Sequence, residues 1–95
     1  MARYAWDLEK NRSLKADARR NISFEEIVAA IESGNLLANI EHPNSDRYSN
    51  QRVLVVAVND YVYAVPYVRT DDVFFLNTAF QSRKLNARYL PGVRQ

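Results

Sequence analysis

RVLVVAVNDYVYAVPYVR, residues 52–69, is the stretch whose reading decides the fold. It holds two runs rich in valine and tyrosine, separated by Asn59-Asp60. Asn and Asp tolerate the positive φ that a two-residue hairpin turn demands, so the runs at 52–58 and 61–69 predict paired antiparallel strands. Pro66 lies inside the second run and has no N–H for a ladder, so a bulge or an unpaired edge is expected beside it. The period of two sets Tyr61, Tyr63, Val65, Tyr67 and Arg69 on one face of this strand. Val62, Ala64 and Val68 face the other way, which looks the better surface for helix packing.

The same logic extends outward. LLANIEH (36–42) predicts a strand before the hairpin, and TDD (70–72) turns the chain into VFFLNTAFQ (73–81), a further strand. Upstream, Asp7 suits the cap of a helix running to about Arg20. In SFEEIVAAIESG (23–34), Ser23 and Glu26 have capping-box spacing, Phe24, Ile27, Val28 and Ile31 form one apolar stripe, and Gly34 suits the end. Downstream, SRKLNARYLPG (82–92) fits a short helix capped by Ser82, with Leu85 and Tyr89 four apart and Pro91-Gly92 to stop it. The expectation is one α+β domain over residues 1–95: two N-terminal helices, a four-stranded antiparallel meander and a short C-terminal helix.

Composition narrows the chemistry. With no cysteine, the chain has no disulfide, no thiolate nucleophile and none of the usual structural zinc sites. A single histidine, His42, argues against a multi-histidine metal centre, and two glycines leave no phosphate-cradling loop. No cofactor and no metal are expected. No apolar run approaches the roughly 18 residues of a membrane span, so a soluble, cytoplasmic protein is expected. The net charge of +2 is unevenly spread: residues 1–50 carry 7 Lys and Arg against 8 acids, and residues 51–95 carry 6 against 3. No acid follows Asp72, which leaves Arg83, Lys84, Arg88 and Arg94 unbalanced and favours an anionic ligand at that end.

Four short segments, YAWDLEKN (4–11), ISFEE (22–26), EHPN (41–44) and SRKLNARYL (82–90), resemble the BrnT-like toxin family, small proteins of bacterial type II toxin–antitoxin modules within the RelE-like ribonuclease superfamily. The resemblance implies a cytoplasmic endoribonuclease toxin that cuts RNA without a metal and inhibits growth. Its partner would be a cognate antitoxin of the DNA-binding type. Metal-free cleavage needs a base for the 2′-hydroxyl proton, cations for the crowded phosphate and an acid for the leaving oxygen.

The residues offer candidates for each part. His42 is the natural general base or acid because its reference pKa lies near 6.5. The polar loop around it, residues 43–52, also carries Arg47, a further cation for RNA. Arg52 starts one strand and Arg69 ends the next, so the two are expected near one end of the sheet, beside His42, where guanidinium groups suit phosphate. Tyr67 on the tyrosine face is a candidate for stacking a base. Ser82 is expected to cap the last helix, putting Arg83 and Lys84 in its first turn, with Arg83 on the scissile or an adjacent phosphate and Lys84 more loosely on the backbone. Trp6, Asp7, Lys10 and Asn11 look functional by motif but read as structural, Trp6 as a staple and Asp7 as a cap. The rival reading from another class is a non-catalytic RNA- or protein-binding module.

Overall fold

A computed structural model describes residues 3–44, 46–47 and 50–90. Asn59 and Asp60 both adopt the left-handed conformation, with φ of 53° and 65°, and close the hairpin of β3 (Gln51–Val58) and β4 (Tyr61–Thr70). Its register pairs Val58 with Tyr61 and Arg52 with Tyr67. On one side β2 (Leu36–Glu41) joins β3 antiparallel, with a bulge at Leu37. On the other side β5 (Val73–Leu76) joins β4, also antiparallel. The fold class is α+β, and the expected meander is present as β2 to β5.

The sheet is nevertheless six-stranded and mixed, not four-stranded and antiparallel. The first addition is β1 (Arg3–Trp6), which pairs parallel with β5, giving the order β1-β5-β4-β3-β2. Four residues are too few to show a period. Their aromatic side chains give the reason for the pairing: Trp6 stacks on Phe24 at 5.6 Å, and Tyr4 meets Phe74 edge-on at 5.6 Å. The second addition arises because the predicted strand 73–81 is broken. After β5 the chain leaves the ladder, then returns as β6 (Phe80–Gln81) to pair with Tyr63 and Ala64 of β4.

Pro66 is the cause of that break. Its carbonyl accepts from Asn77 N–H at 2.8 Å, so its ring nitrogen faces the same neighbour. A regular strand there would lack a donor opposite it. The chain instead detours through residues 77–79, and Arg20 secures the detour by donating to Thr78 Oγ1 at 2.8 Å.

The first helix, α1 (Leu8–Ala16), is capped by Asp7, whose carboxylate accepts from the N–H groups of Glu9 and Lys10. It stops at Ala16, short of Arg20, because Asp17 gathers local bonds from Arg19 and Asn21 N–H instead of continuing the helix. The next helix, α2 (Phe24–Ala30), has the Ser23–Glu26 capping box and ends in a widened turn, Ile31–Asn35, where Gly34 takes φ of 92°. The last, α3 (Arg83–Tyr89), is capped by Ser82.

The two faces of the sheet divide by side-chain size. Leu54, Val56, Tyr63, Val65 and Tyr67 are buried with Leu14, Phe24 and Ile27 of the two N-terminal helices. Val53, Val55, Val62, Ala64 and Pro66 form the other face, on which α3 lies. Helices therefore pack on both faces, the tyrosine face included: Tyr63 is 6% and Tyr67 2% exposed, which leaves no open ring there to stack a base. Large rings fill the deep space under two helices, whereas a short helix approaches closely only over small residues.

Asn11, 4% exposed, joins the N-terminal helices to each other. Its carbonyl accepts from Phe24 N–H at 2.8 Å, satisfying an amide left open by the start of α2, and its amide donates to Glu25 at 2.8 Å. That bond from Asn11 and then a backbone N–H hold the Glu25 carboxyl below the usual carboxylate range against the opposing effect of burial, with lesser help from Lys15 and Ser23. A lowered value stabilises the fold at neutral pH, a contribution lost as the pH falls through it. Asn11→Ala should cost about 2 kcal/mol, a fall of roughly 10 °C in melting temperature, and should return Glu25 toward its ordinary titration, read by carboxyl NMR. A melting temperature within about 2 °C of the parent would show that this amide carries no structural role.

Candidate functional site

The alternation of β2 directs Asn39 and Glu41 to the face of the N-terminal helices and Ile40 to the face of α3, opposite Val53. His42 follows at the end of β2, where the Pro43–Asn44 turn begins. Its Nδ1 accepts from Asn44 N–H at 3.0 Å. An imidazole that accepts at Nδ1 carries the proton of its neutral form on Nε2.

His42 lines a cavity of about 380 Å³ between the end of β2 and α3. Val53, Ala64 and Pro66 form its floor, Phe80 and Leu85 flank it, and Lys84 and Arg88 border it from α3. These two cations are four apart on one helix and so share a side. Asn86 turns inward between them, accepting from Val62 N–H at 3.1 Å. Ser82 N–H donates to Val62 O at 3.0 Å, so α3 is tied to β4 at its start and middle. Glu41 also lines the cavity, from the end of β2, where it stands opposite Arg52 in the register. The cleft is an apolar slot with donor groups at its rim.

The candidates from the sequence separate into two groups. His42 and Lys84 meet in this cleft. Arg52 and Tyr67 belong to the other face: Arg52 donates through Nε and Nη2 to Asn39 Oδ1 and O, both at 2.9 Å, and Asn39 donates to the Tyr67 hydroxyl at 2.7 Å. The Tyr67 ring stacks on Phe74 at 4.7 Å and is closed to a base. Arg69 donates to Asp71 O at 2.9 Å and lies over the Phe74 ring. On the same face Tyr4 has its hydroxyl pKa raised, chiefly by burial and then by Glu32 and Tyr67.

Arg83 is exposed and does not border the cleft, whereas Lys84 does. One of the first amides of α3, Leu85 N–H, is taken by Ser82 Oγ. Arg47 lies in the turn after His42, its N–H donating to Asn44 O at 3.2 Å. Ser45, Tyr48 and Ser49 of the polar loop, and Pro91, Gly92 and Arg94 of the tail, lie outside the described residues.

In the sequence Arg88 stands only among the unbalanced C-terminal cations, with no place in a site, and Phe80 carries no functional signal. The spacing of Lys84 and Arg88 was a usable signal for the first, whereas Phe80 depends on the break after β5. Among the described residues, no group of three His, Asp or Glu is placed to hold a metal ion, and no helix is long and apolar enough to cross a membrane. Compared with known proteins, the chain gives no significant match to a family model, a curated protein or a solved structure.

Removing the Tyr67 hydroxyl would leave a part-buried Asn39 donor without its partner. Tyr67→Phe should therefore lower stability by about 1 kcal/mol, or roughly 5 °C in melting temperature. An unchanged melting curve would contradict the Asn39–Tyr67 bond.

Proposed function

We propose that the protein acts on RNA as a metal-independent endoribonuclease toxin of a type II toxin–antitoxin module, and that RNA enters the cleft under α3. The observation that supports this best is the convergence of His42, Lys84 and Arg88 on one slot with an apolar floor. Such a slot suits a ligand with a flat ring and a negative charge. The basic surplus of the C-terminal half adds long-range attraction for a polyanion.

In this reading Lys84 and Arg88 hold the phosphate, and His42 donates through Nε2 to the oxygen on which charge grows as the 2′-hydroxyl attacks. His42 is then an electrostatic stabiliser rather than the base: the hydroxyl proton leaves to water, the new bond from the 2′-oxygen to phosphorus displaces the 5′-oxygen, and that leaving oxygen takes a proton from water, giving a 2′,3′-cyclic phosphate and a free 5′-hydroxyl. Arg52 supports the sheet end through Asn39 and touches no RNA. A cognate antitoxin would be the protein partner, and the cytoplasm the site of action. One feature favours a second reading, a non-catalytic RNA-binding module: the donors His42, Lys84 and Arg88 outnumber the one carboxylate, Glu41, among the residues lining the cleft.

Inducing the chain alone in bacteria should arrest growth and shorten cellular RNA, and EDTA should not protect RNA from the purified protein. His42→Ala should then slow cleavage about 10²-fold, the effect of losing one preorganised donor. RNA that is bound but never cut supports the binding module; RNA neither bound nor cut removes both readings. Lys84→Glu with Arg88→Glu should weaken RNA binding and reduce its dependence on log salt by about 1 to 2. Arg83→Ala should leave both nearly unchanged; a large loss there would restore Arg83 to the RNA contact.

A further inference from the structure

We infer that the cleft under α3 is a subsite for one unpaired nucleotide, with the base inserted over Ala64 and Pro66 against Phe80 and the phosphate held by Lys84 and Arg88. This rests on the reading that the cleft receives RNA, and it specifies what part of a nucleic acid fits there.

Three features carry it. The first is Phe80, 39% exposed although its neighbours on the sheet are buried. The register sets it beside Ala64, which is 4% exposed, so its ring stands at the wall of the slot next to a residue with almost no side chain. A half-exposed aromatic wall beside a flat apolar floor is the arrangement that stacks a nucleobase, and every base has a π-face to offer. The second is the arrangement of charge: both cations stand on α3, whereas the floor supplied by β3 and β4 is apolar. A ligand therefore lies with its ring toward the sheet and its anion toward the helix. The third is size. A volume of about 380 Å³ is at the small end for binding pockets; it takes one nucleotide and no stacked pair. A base inside a duplex must be unpaired and turned out to enter such a slot, so the subsite selects single-stranded RNA.

A free nucleotide and an unpaired nucleotide of RNA share this chemistry, and titrations followed by amide NMR separate them. Adenosine 5′-monophosphate, uridine 5′-monophosphate, adenosine, inorganic phosphate, a single-stranded RNA hexamer and a blunt RNA duplex are the probes. Both mononucleotides should shift the amides of Val53, Ala64, Phe80 and Lys84 together. Adenosine should bind more weakly, phosphate should shift α3 alone, and the hexamer should compete with the mononucleotides. Phe80→Ala should weaken mononucleotide binding roughly tenfold or more with an unchanged melting temperature, and Lys84→Glu should do the same. If Phe80→Ala proves unstable, Phe80→Leu keeps the apolar bulk but removes the ring face and should still weaken binding.

Phosphate binding as tightly as the mononucleotides would overturn the base subsite, leaving only an anion site. So would shifts confined to another surface, or full affinity in a folded Phe80 variant. RNA bound or cut without any mononucleotide effect in the cleft defeats the subsite and spares the RNA reading. Mononucleotides seated in the cleft with no binding or cutting of the hexamer do the reverse, and mark a free nucleotide as the ligand. Equal affinity for the duplex would overturn the selection for single strands.

Discussion

The central strand β4 contains a residue that cannot donate a hydrogen bond, and much of the structure follows from how that gap is accommodated. Pro66 presents its ring nitrogen to the β5 side, so a continuous neighbour there is disfavoured. The chain answers by ending β5 at Leu76, detouring through residues 77–79 and resuming as β6. That detour delivers Phe80 to the face opposite the N-terminal helices, and one residue after β6 the Ser82 cap starts α3. Arg20 then fastens the detour to the link between α1 and α2. A missing N–H thus determines where the C-terminal helix crosses the sheet, and the slot is the space beneath it.

Side-chain size organises the rest. Tyr63 and Tyr67 fill the depth between sheet and N-terminal helices, and the Asn39–Tyr67 bond closes that layer at one end. The opposite face offers Val62, Ala64 and Pro66, over which α3 sits low and covers only part of the sheet. Asn86 and Ser82 pin α3 through Val62. Among the described residues no buried side-chain polar atom lacks a partner. The groups with chemical capacity stand at the rim of the cleft, on elements whose backbones are held.

The elements with strong local chemistry were legible in the sequence. The Asn59-Asp60 turn, the Ser23–Glu26 box, the Asp7 and Ser82 caps and the Gly34 stop all act over a few residues, and each appears where the local pattern puts it. What escaped depends on contacts distant in sequence. β1 exists because Arg3–Trp6 find Val73–Leu76 some seventy positions away, and Pro66 signalled a disturbance without showing that the partner strand would absorb it. The candidate site was half legible. His42 and Lys84 lie on one cleft, but strand alternation alone does not say which face receives two helices, and that choice removed Tyr67 and Arg52 from it.

The segregation of large and small residues on β4 also bears on how the hairpin keeps its alignment. A slip of one residue between β3 and β4 would turn every side chain of the slipped strand to the opposite layer. Tyrosines would then collide with the shallow C-terminal helix, while valine and alanine would leave voids under the N-terminal pair. Both layers would fail together, so the two faces act as a parity check on a single alignment. The same check protects the slot, because its flat floor exists only in the register that keeps the rings on the far side.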